Sequence, residues 1–333
     1  MIRILILFNL LPCLLFAQSK YAAMDSAILS GKFGDVHSVL VYQDGNITFE
    51  KYYNGWKPDS IHQLQSATKS VIATLLGIAL QRGYIKSEDE PIYKYLPNVP
   101  EDKKSIRIED LLTQRHGIKW TEGAWEDANN SWRAVMETQG SWYDKILSMP
   151  MDTLPGTKFN YSNAAPALIS YIIQTASKMT IDSFTKEYLF KPLGIHQYWF
   201  LQRNGGPQYN GMALISLTSQ DMLKLGQLYL QNGKWNGNQI LSKQYVKKAI
   251  SPIVRKVGAN GVFYHYDYGY FWWSNPAYRL AKVNKSTSPV VMARGAGGQN
   301  IIIDFARRQV TVITAWNMAR SNWPQAIYHD FIE

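Results

Sequence analysis

The stretch Leu64-Gln65-Ser66-Ala67-Thr68-Lys69-Ser70-Val71-Ile72-Ala73-Thr74-Leu75-Leu76-Gly77-Ile78-Ala79-Leu80 decides both the fold and the chemistry of this chain. Apolar side chains cover most of the circumference of a helix built on it, so we expect the helix to be central and buried. Gly83 is placed to adopt the left-handed conformation that ends a helix. The first turn, by contrast, is polar.

Ser66 and Lys69 are three residues apart in that first turn, so their side chains share one face. The N-terminal end of a helix disfavours an ammonium, and a lysine held there should lose part of its affinity for a proton. A serine beside such a lysine is an activated nucleophile that needs no histidine. Ser-x-x-Lys occurs by chance about once in a chain of this length. Its second copy, Ser183 to Lys186, is interpreted as part of an ordinary amphipathic helix.

The first 18 residues predict export. A charged start is followed by a short apolar run and Ala17, which is typical of a secretory signal peptide cleaved near Ala17 or Gln18. The run is short for a bilayer span, so we expect no membrane span after cleavage. Cys13 is the only cysteine, so a mature chain would have neither disulfides nor thiol catalysis. We therefore expect a protein of the bacterial periplasm or a secreted one.

The charge of the chain indicates a surface property rather than a nucleic-acid site. The formal net charge is +10 over 333 residues, but the basic pairs are scattered and form no long run. An exported basic protein meets anionic cell envelope, so we expect contact with the envelope and none with nucleic acid. There is no metal signature such as His-Glu-x-x-His, and we predict neither a metal nor a cofactor.

Strand patterns lie near both ends of the chain and helical patterns lie between them. β-rich runs flank Asp44-Gly45, a strong hairpin signal, and strands are predicted again at 264–272, 290–293, 301–303 and 310–313. This order predicts an α+β fold, with one antiparallel sheet built from both termini, flanked by helices, and an inserted, mostly helical lobe. We assign residues 19–84 and 255–333 to the sheet lobe and 85–254 to the helical lobe. Two sequential domains are the alternative, but an amino-terminal hairpin alone would be marginally stable.

Two further segments carry candidate site residues. Tyr161 and Asn163 lie two apart on a turn-like segment before a predicted helix. A phenol near a lysine can serve as general base and then general acid, and Asn163 could hold that lysine or a substrate carbonyl. Between two late strands, the glycine-rich run Gly295-Ala296-Gly297-Gly298-Gln299 would let a ligand approach closely and could turn N–H groups towards an oxyanion. By itself, this run could equally be a tight turn.

Taken together, Ser66-Ala67-Thr68-Lys69, Tyr161-Ser162-Asn163 and Gly295-Ala296-Gly297-Gly298-Gln299, in that order, resemble the motifs of the serine β-lactamase and penicillin-binding-protein superfamily. The chain is most similar to its class C-like branch, which includes carboxylesterases, D-aminopeptidases and aminohexanoate-oligomer hydrolases. The resemblance implies a β-lactamase/transpeptidase-like fold and an acyl-enzyme on Ser66, with Lys69 and Tyr161 as the acid–base pair. It also implies an oxyanion hole formed by the N–H groups of Ser66 and Gly298, with Gly295, Ala296, Gly297 and Gln299 contacting the substrate.

One departure from the family pattern bears on the substrate. The third motif usually opens with a lysine or histidine that grips a carboxylate, and here Gly295 stands at that position. Arg294 should point to the opposite face if the segment is extended. We therefore expect an ester or amide without a carboxylate there, and expect a lysine or histidine at 295 to raise β-lactam turnover relative to ester turnover. A class C-type β-lactamase or D-Ala peptidase is the alternative enzyme, and a non-catalytic penicillin-binding-like sensor is the alternative outside catalysis.

Four tryptophans occupy the polar stretch between the first and second motifs. They either line the cleft or pack a loop-rich lobe, and we prefer packing because large aromatic side chains are usually buried. These residues are Trp120, Trp125, Trp132 and Trp142.

Overall fold

The computed structural model describes residues 21–200, 215–257, 266–275, 290–318 and 324–333, so the predicted signal peptide lies outside the described residues. The helices are residues 21–29 (α1), Thr68–Gln81 (α2), Ile108–Leu112 (α3), Ser131–Met136 (α4), Trp142–Leu147 (α5), Ala164–Ser177 (α6), Ile181–Thr185 (α7), Lys191–Leu193 (α8), Ser219–Leu230 (α9) and Lys243–Ala249 (α10). The strands are Val36–Gln43 (β1), Asn46–Tyr52 (β2), Ile61–Gln63 (β3), Tyr198–Phe200 (β4), Ile215–Thr218 (β5), Lys234–Trp235 (β6), Asn238–Gln239 (β7), Val254–Val257 (β8), Tyr266–Tyr268 (β9), Trp273–Asn275 (β10), Val290–Gly295 (β11), Gln299–Asp304 (β12) and Gln309–Ala315 (β13).

One sheet is built from both ends of the chain, as predicted. Its strand order is β2-β1-β13-β12-β11-β10-β9-β8, and neighbouring strands are antiparallel. The amino-terminal hairpin turns at Asp44 and Gly45, whose φ angles are 48° and 96°. Both central residues of this two-residue turn have positive φ, the geometry that matches the twist of the flanking strands. The architecture is α+β, with one antiparallel sheet built from both ends of the chain and flanked by helices, as the sequence predicts.

The central helix α2 is buried along nearly its whole length, as its sequence predicts. Every residue from Thr68 to Ala79 is buried, and Gly83 ends the helix with φ 77°. A Cβ on Gly77 would lie 2.4 Å from the ring of Tyr245 in α10, so glycine is what allows these two helices to approach closely. Burying each Leu or Ile side chain of α2 contributes about 1.5–3 kcal/mol, so the start of this helix is held firmly in place.

A second helix, α9, packs on the sheet itself. A Cβ on Gly226 of α9 would lie 2.4 Å from Val310 in β13 and 3.0 Å from Ile301 in β12. The side chain of Thr218 accepts a hydrogen bond from the backbone N–H of Asp221 and caps the start of this helix. This helix lies within residues 85–254, and the division into a sheet lobe and a helical lobe stays a prediction.

The described part of the strand predicted over 264–272 is a short strand followed by a turn. Residues 264 and 265 lie outside the described residues, β9 ends at Tyr268, and the next strand starts at Trp273. The N–H of Gly269 donates to the carbonyl of Trp272 at 2.9 Å, and Phe271 has φ 56°, a left-handed conformation that no strand contains. The alternating aromatic residues led to a wrong prediction because Tyr268, Tyr270 and Trp272 are all buried, as alternate residues of a strand would be, although the chain turns after Tyr268.

Candidate active site

Ser66 lies in a tight turn between strand β3 and helix α2. Residues Gln65–Ala67 form a single 3-10 turn that leads directly into α2. Gln65, immediately before Ser66, has φ 50°, a conformation that costs a residue other than glycine about 1–3 kcal/mol and that clusters at functional sites. Its side-chain amide donates to Gln63 Oε1 at 2.5 Å. The sequence gives no signal for this strain, which fixes the direction of the Ser66 backbone.

Lys69 contacts the other three predicted catalytic residues. Its side chain is 1% exposed, and Nζ donates to Asn163 Oδ1 at 2.6 Å and to Ser66 Oγ at 3.2 Å. The same nitrogen lies 4.7 Å from the centroid of the Tyr161 ring. All four predicted catalytic side chains therefore lie together around one buried amine.

Tyr161 is supported from the sheet. Its ring lies 5.5 Å from that of Trp273 and meets the ring of Tyr268 edge-on at 6.4 Å. Trp273 and Tyr268 are directly paired residues on β10 and β9, so they project from the same face. Two strands of the sheet thus support a tyrosine that the segment before α6 supplies.

A buried hydrogen-bond network holds the backbone between Tyr161 and Asn163. The Ser162 hydroxyl contacts His116 Nε2 at 2.8 Å and Gln114 Oε1 at 2.9 Å. The amide of Gln114 also pairs with the Ser162 backbone in both directions, at 3.0 Å each. The network reaches from the end of α3 to the second motif, and the sequence analysis missed it because neither Gln114 nor His116 belongs to a recognisable pattern.

The tautomer of His116 follows from its neighbours. Its Nδ1 accepts a hydrogen bond from the N–H of Ile118 at 3.1 Å, so the ring proton is on Nε2 and is donated to Ser162 Oγ. The Ser162 hydroxyl is then free to donate to Gln114. Burial lowers the pKa of His116 to about 4, so the ring is neutral at pH 7.

The third motif packs against the turn that carries Ser66. Gly295 is the last residue of β11, residues Ala296–Gly298 form a turn, and Gln299 begins β12. This turn contacts the turn of Ser66, so the two predicted oxyanion donors lie on adjacent turns. The side chain of Gln299 is buried and donates to the carbonyl of Ala315. Its amide nitrogen is therefore engaged by the protein, and the predicted substrate role of Gln299 stays a prediction.

Gly295 has a steric role that the sequence did not show. A Cβ at this position would lie 2.1 Å from the backbone oxygen of Leu64 and 3.1 Å from Cβ of Gln65. A lysine at 295 would therefore displace the backbone beside Ser66 instead of adding a cation to an intact site. The expectation that such a substitution raises β-lactam turnover does not hold on this geometry.

Arg294 precedes Gly295 on β11 and lines one cavity together with the third-motif residues Gly295 to Gly298. Its guanidinium lies 5.0 Å from the centroid of the Tyr266 ring, which is 6.0 Å from the ring of Trp273. Trp273 in turn contacts Tyr161, so these aromatic rings connect Arg294 to the predicted acid–base pair.

The four tryptophans divide between packing and exposure. Trp120 and Trp142 are buried, and Trp132 packs edge-on against Trp142 with ring centroids 5.3 Å apart. Trp125 is 48% exposed. The second Ser-x-x-Lys copy has both Ser183 and Lys186 exposed, which suits its interpretation as a helix surface.

The described ranges contain neither a metal-binding cluster nor a helix able to span a membrane. Among those residues, no group of three or more histidine, cysteine, aspartate or glutamate side chains is arranged to hold a metal ion. No helix in the same ranges combines the length and the apolar character needed to cross a bilayer.

Comparison with known proteins agrees with this fold. The protein-family model described as Beta-lactamase matches residues 35–329. The chain is 22% identical over 300 residues to the 6-aminohexanoate-dimer hydrolase of Paenarthrobacter ureafaciens, covering 83% of this chain and 72% of that protein.

Solved structures show the same architecture. EstCE1, described as a hydrolase with promiscuous acyltransferase activity, superposes with a TM-score of 0.78 at 14% identity over 96% of this chain and 99% of its own. A class C β-lactamase superposes with a TM-score of 0.71 at 15% identity over 95% of both chains. The chain belongs to the β-lactamase family of serine hydrolases.

Proposed function

We propose that this protein hydrolyses an ester or amide through an acyl-enzyme on Ser66. One observation carries the proposal: the buried Lys69 amine lies between Ser66 Oγ and Asn163 Oδ1 and against the face of the Tyr161 ring. A family member that had lost catalysis would have no need to bury a lysine against a serine hydroxyl. This arrangement favours an enzyme over a non-catalytic sensor module.

The proposed reaction has two steps. Ser66 Oγ attacks the carbonyl carbon, its proton passes to the pair of Lys69 and Tyr161, and the carbonyl oxygen becomes an oxyanion facing the N–H groups of Ser66 and Gly298. When the C–O or C–N bond breaks, the leaving group takes that proton. Water then attacks the acyl carbon, gives a proton back through the same pair, and releases the acid and free Ser66.

The surroundings of Ser66 support a substrate without a carboxylate at the third motif. Gly295 supplies no cation. A Cβ at this position would lie 2.1 Å from the backbone oxygen of Leu64, so the turn leaves no space for a longer, charged side chain. Esters or amides without a carboxylate therefore fit the site better than β-lactams or peptides that end in one. The similarity to an aminohexanoate-dimer hydrolase and to EstCE1 also favours the family members that are not β-lactamases.

Export to the periplasm or the medium is a part of the proposal that rests on the sequence. The first 18 residues have the pattern of a secretory signal, and the net charge of +10 would favour contact with an anionic envelope. Amino-terminal sequencing of the protein purified from its native host would test it: a start near residue 18 or 19 supports export, and a start at Met1 contradicts it.

A substrate panel tests the activity. Purified protein, with Ser66→Ala as the control, is assayed against short p-nitrophenyl esters, D-amino-acid amides and nitrocefin. We expect Ser66-dependent turnover of the esters or amides, with nitrocefin slower. Nitrocefin turnover faster than ester turnover would favour the β-lactamase alternative, and no Ser66-dependent turnover of any compound would favour the sensor.

A further inference from the structure

A carboxylate that no motif includes lies beside the second motif. Glu122, half-buried on the segment between α3 and α4, accepts two hydrogen bonds at Oε1, from Trp120 Nε1 at 2.7 Å and from the N–H of Asn163 at 3.1 Å. Asn163 Oδ1 is bound to Lys69, which reaches Ser66. Summed along these contacts and standard bond lengths, Glu122 Oε1 is no more than about 15 Å from the Ser66 hydroxyl.

Both contacts of Glu122 need an acceptor oxygen but not a negative charge. A neutral glutamine would offer the same Oε1 to Trp120 and to Asn163. A carboxylate at the start of α6 gains from the helix dipole, but that gain is only about 0.3–1 kcal/mol. Burial costs a charge more than an amide, so the charge is not explained by the contacts it makes.

The charge of Glu122 complements what the third motif lacks. Family members that bind a carboxylate place a cation at the position of Gly295, where this chain leaves space for none. Glu122 places a formal negative charge against the backbone N–H of Asn163, in the second motif. Both features change the cleft in the same direction, away from anionic substrates.

We propose that Glu122 makes the cleft selective for esters or amides that carry a cationic group, such as an ammonium, a few bonds from the scissile carbonyl. This inference rests on the proposed function and specifies its substrate class. One opposite charge at the distance of a contact, in a partly exposed site, gives a preference of roughly tenfold or more. The net charge of +10 acts the other way at long range, but salt screens it beyond about 8 Å at physiological ionic strength.

Three p-nitrophenyl esters with the same three-methylene spacer isolate the charge. The 4-trimethylammoniobutanoate ester is cationic, the 5,5-dimethylhexanoate ester is its neutral isostere, and the glutarate monoester is anionic. Choline butyrate and 3,3-dimethylbutyl butyrate place the same charge difference on the alcohol side. All five are assayed with the unmodified protein, with Glu122→Gln, which retains both acceptor contacts, and with Glu126→Gln as a control on the same exposed segment.

We expect kcat/KM to favour the cationic member of at least one isosteric pair by about tenfold, mainly through KM, and to lose that preference in Glu122→Gln but not in Glu126→Gln. The preference should shrink as salt rises from about 0.05 M to about 0.5 M. Equal losses on all esters in Glu122→Gln would mean a structural role only and overturn the proposal. A preference for the glutarate ester would overturn it in favour of Arg294, and no Ser66-dependent hydrolysis of any ester would overturn the proposed function as well.

Discussion

Acid should weaken this protein through His116, because the folded structure holds that ring neutral. Its pKa is lowered from an ordinary 6.5 to about 4 by burial. A protonated ring would direct an N–H on Nδ1 at the N–H of Ile118, where the structure needs an acceptor. The unfolded chain therefore binds more protons than the folded one between these two pH values, and stability falls as the pH drops from about 6.5 to about 4.

The expected size follows from the two pKa values. Their difference corresponds to about 3 kcal/mol of unfolding free energy, lost over that pH window and fully present above it. His116→Asn removes the titration while its side-chain oxygen can still accept from Ile118. The variant should be less stable than the unmodified protein at pH 7, since it loses the bond to Ser162, and the gap should narrow by about 3 kcal/mol by pH 4.

Urea unfolding measured from pH 7.5 to pH 4 on both proteins tests this account. Other titrating groups, including His62 with a pKa lowered to about 3 by burial and by its neighbour His37, are common to both and cancel in the difference. His196→Asn, at an exposed position, is the control and should leave the shape of the profile unchanged. Parallel profiles for His116→Asn and the unmodified protein would refute the reasoning.

Three further substitutions probe the site. Lys69→Ala should lower kcat by about a hundredfold or more while changing KM little, since the amine moves a proton; steady-state kinetics that show a near-normal kcat would contradict this role. Gly295→Ala should lower the free energy of unfolding by about 1–3 kcal/mol because its Cβ would lie 2.1 Å from a backbone oxygen. Gly140→Ala should be nearly neutral because a Cβ added there would meet no atom within 4 Å. Equal urea midpoints for the two variants would count against the steric argument. Ser162→Ala removes the hydroxyl that holds the second motif, and each buried partner left unsatisfied costs about 1–3 kcal/mol of stability. Because Tyr161 and Asn163 would then be held less firmly, kcat should fall about tenfold. Unchanged kinetics and melting temperature would show that the network does not position the second motif.

Much of the fold could be predicted because its signals are local. Asp44-Gly45 between two β-rich runs specifies a hairpin by turn chemistry alone, and the apolar circumference of residues 68–81 specifies a buried helix. The placement of Ser66 and Lys69 on one face follows from helical spacing, which does not depend on the rest of the chain. The pairing of Tyr161 and Asn163 with that face required the family resemblance, since 92 residues separate Lys69 from Tyr161 in the sequence.

The missed features depend on contacts between distant segments. Gln65 has a positive φ and Gly295 approaches Leu64 closely where two turns pack together. Neither residue type indicates this packing in the sequence. Gln114 and His116 look like ordinary polar residues after a short helix until Ser162 is brought against them. The strand predicted over 264–272 was wrong for a related reason, because a period of two in buried aromatic residues can run through a turn.

The central claim is that Ser66 is the acylated nucleophile, and labelling with a fluorophosphonate tests it most directly. Intact-mass spectrometry should show one adduct per chain, and peptide mapping should place it on Ser66. Ser66→Ala should show no adduct, whereas Ser183→Ala, in the exposed second copy of the motif, should label like the unmodified protein. An adduct on any other residue, or labelling that persists in Ser66→Ala, would contradict the account.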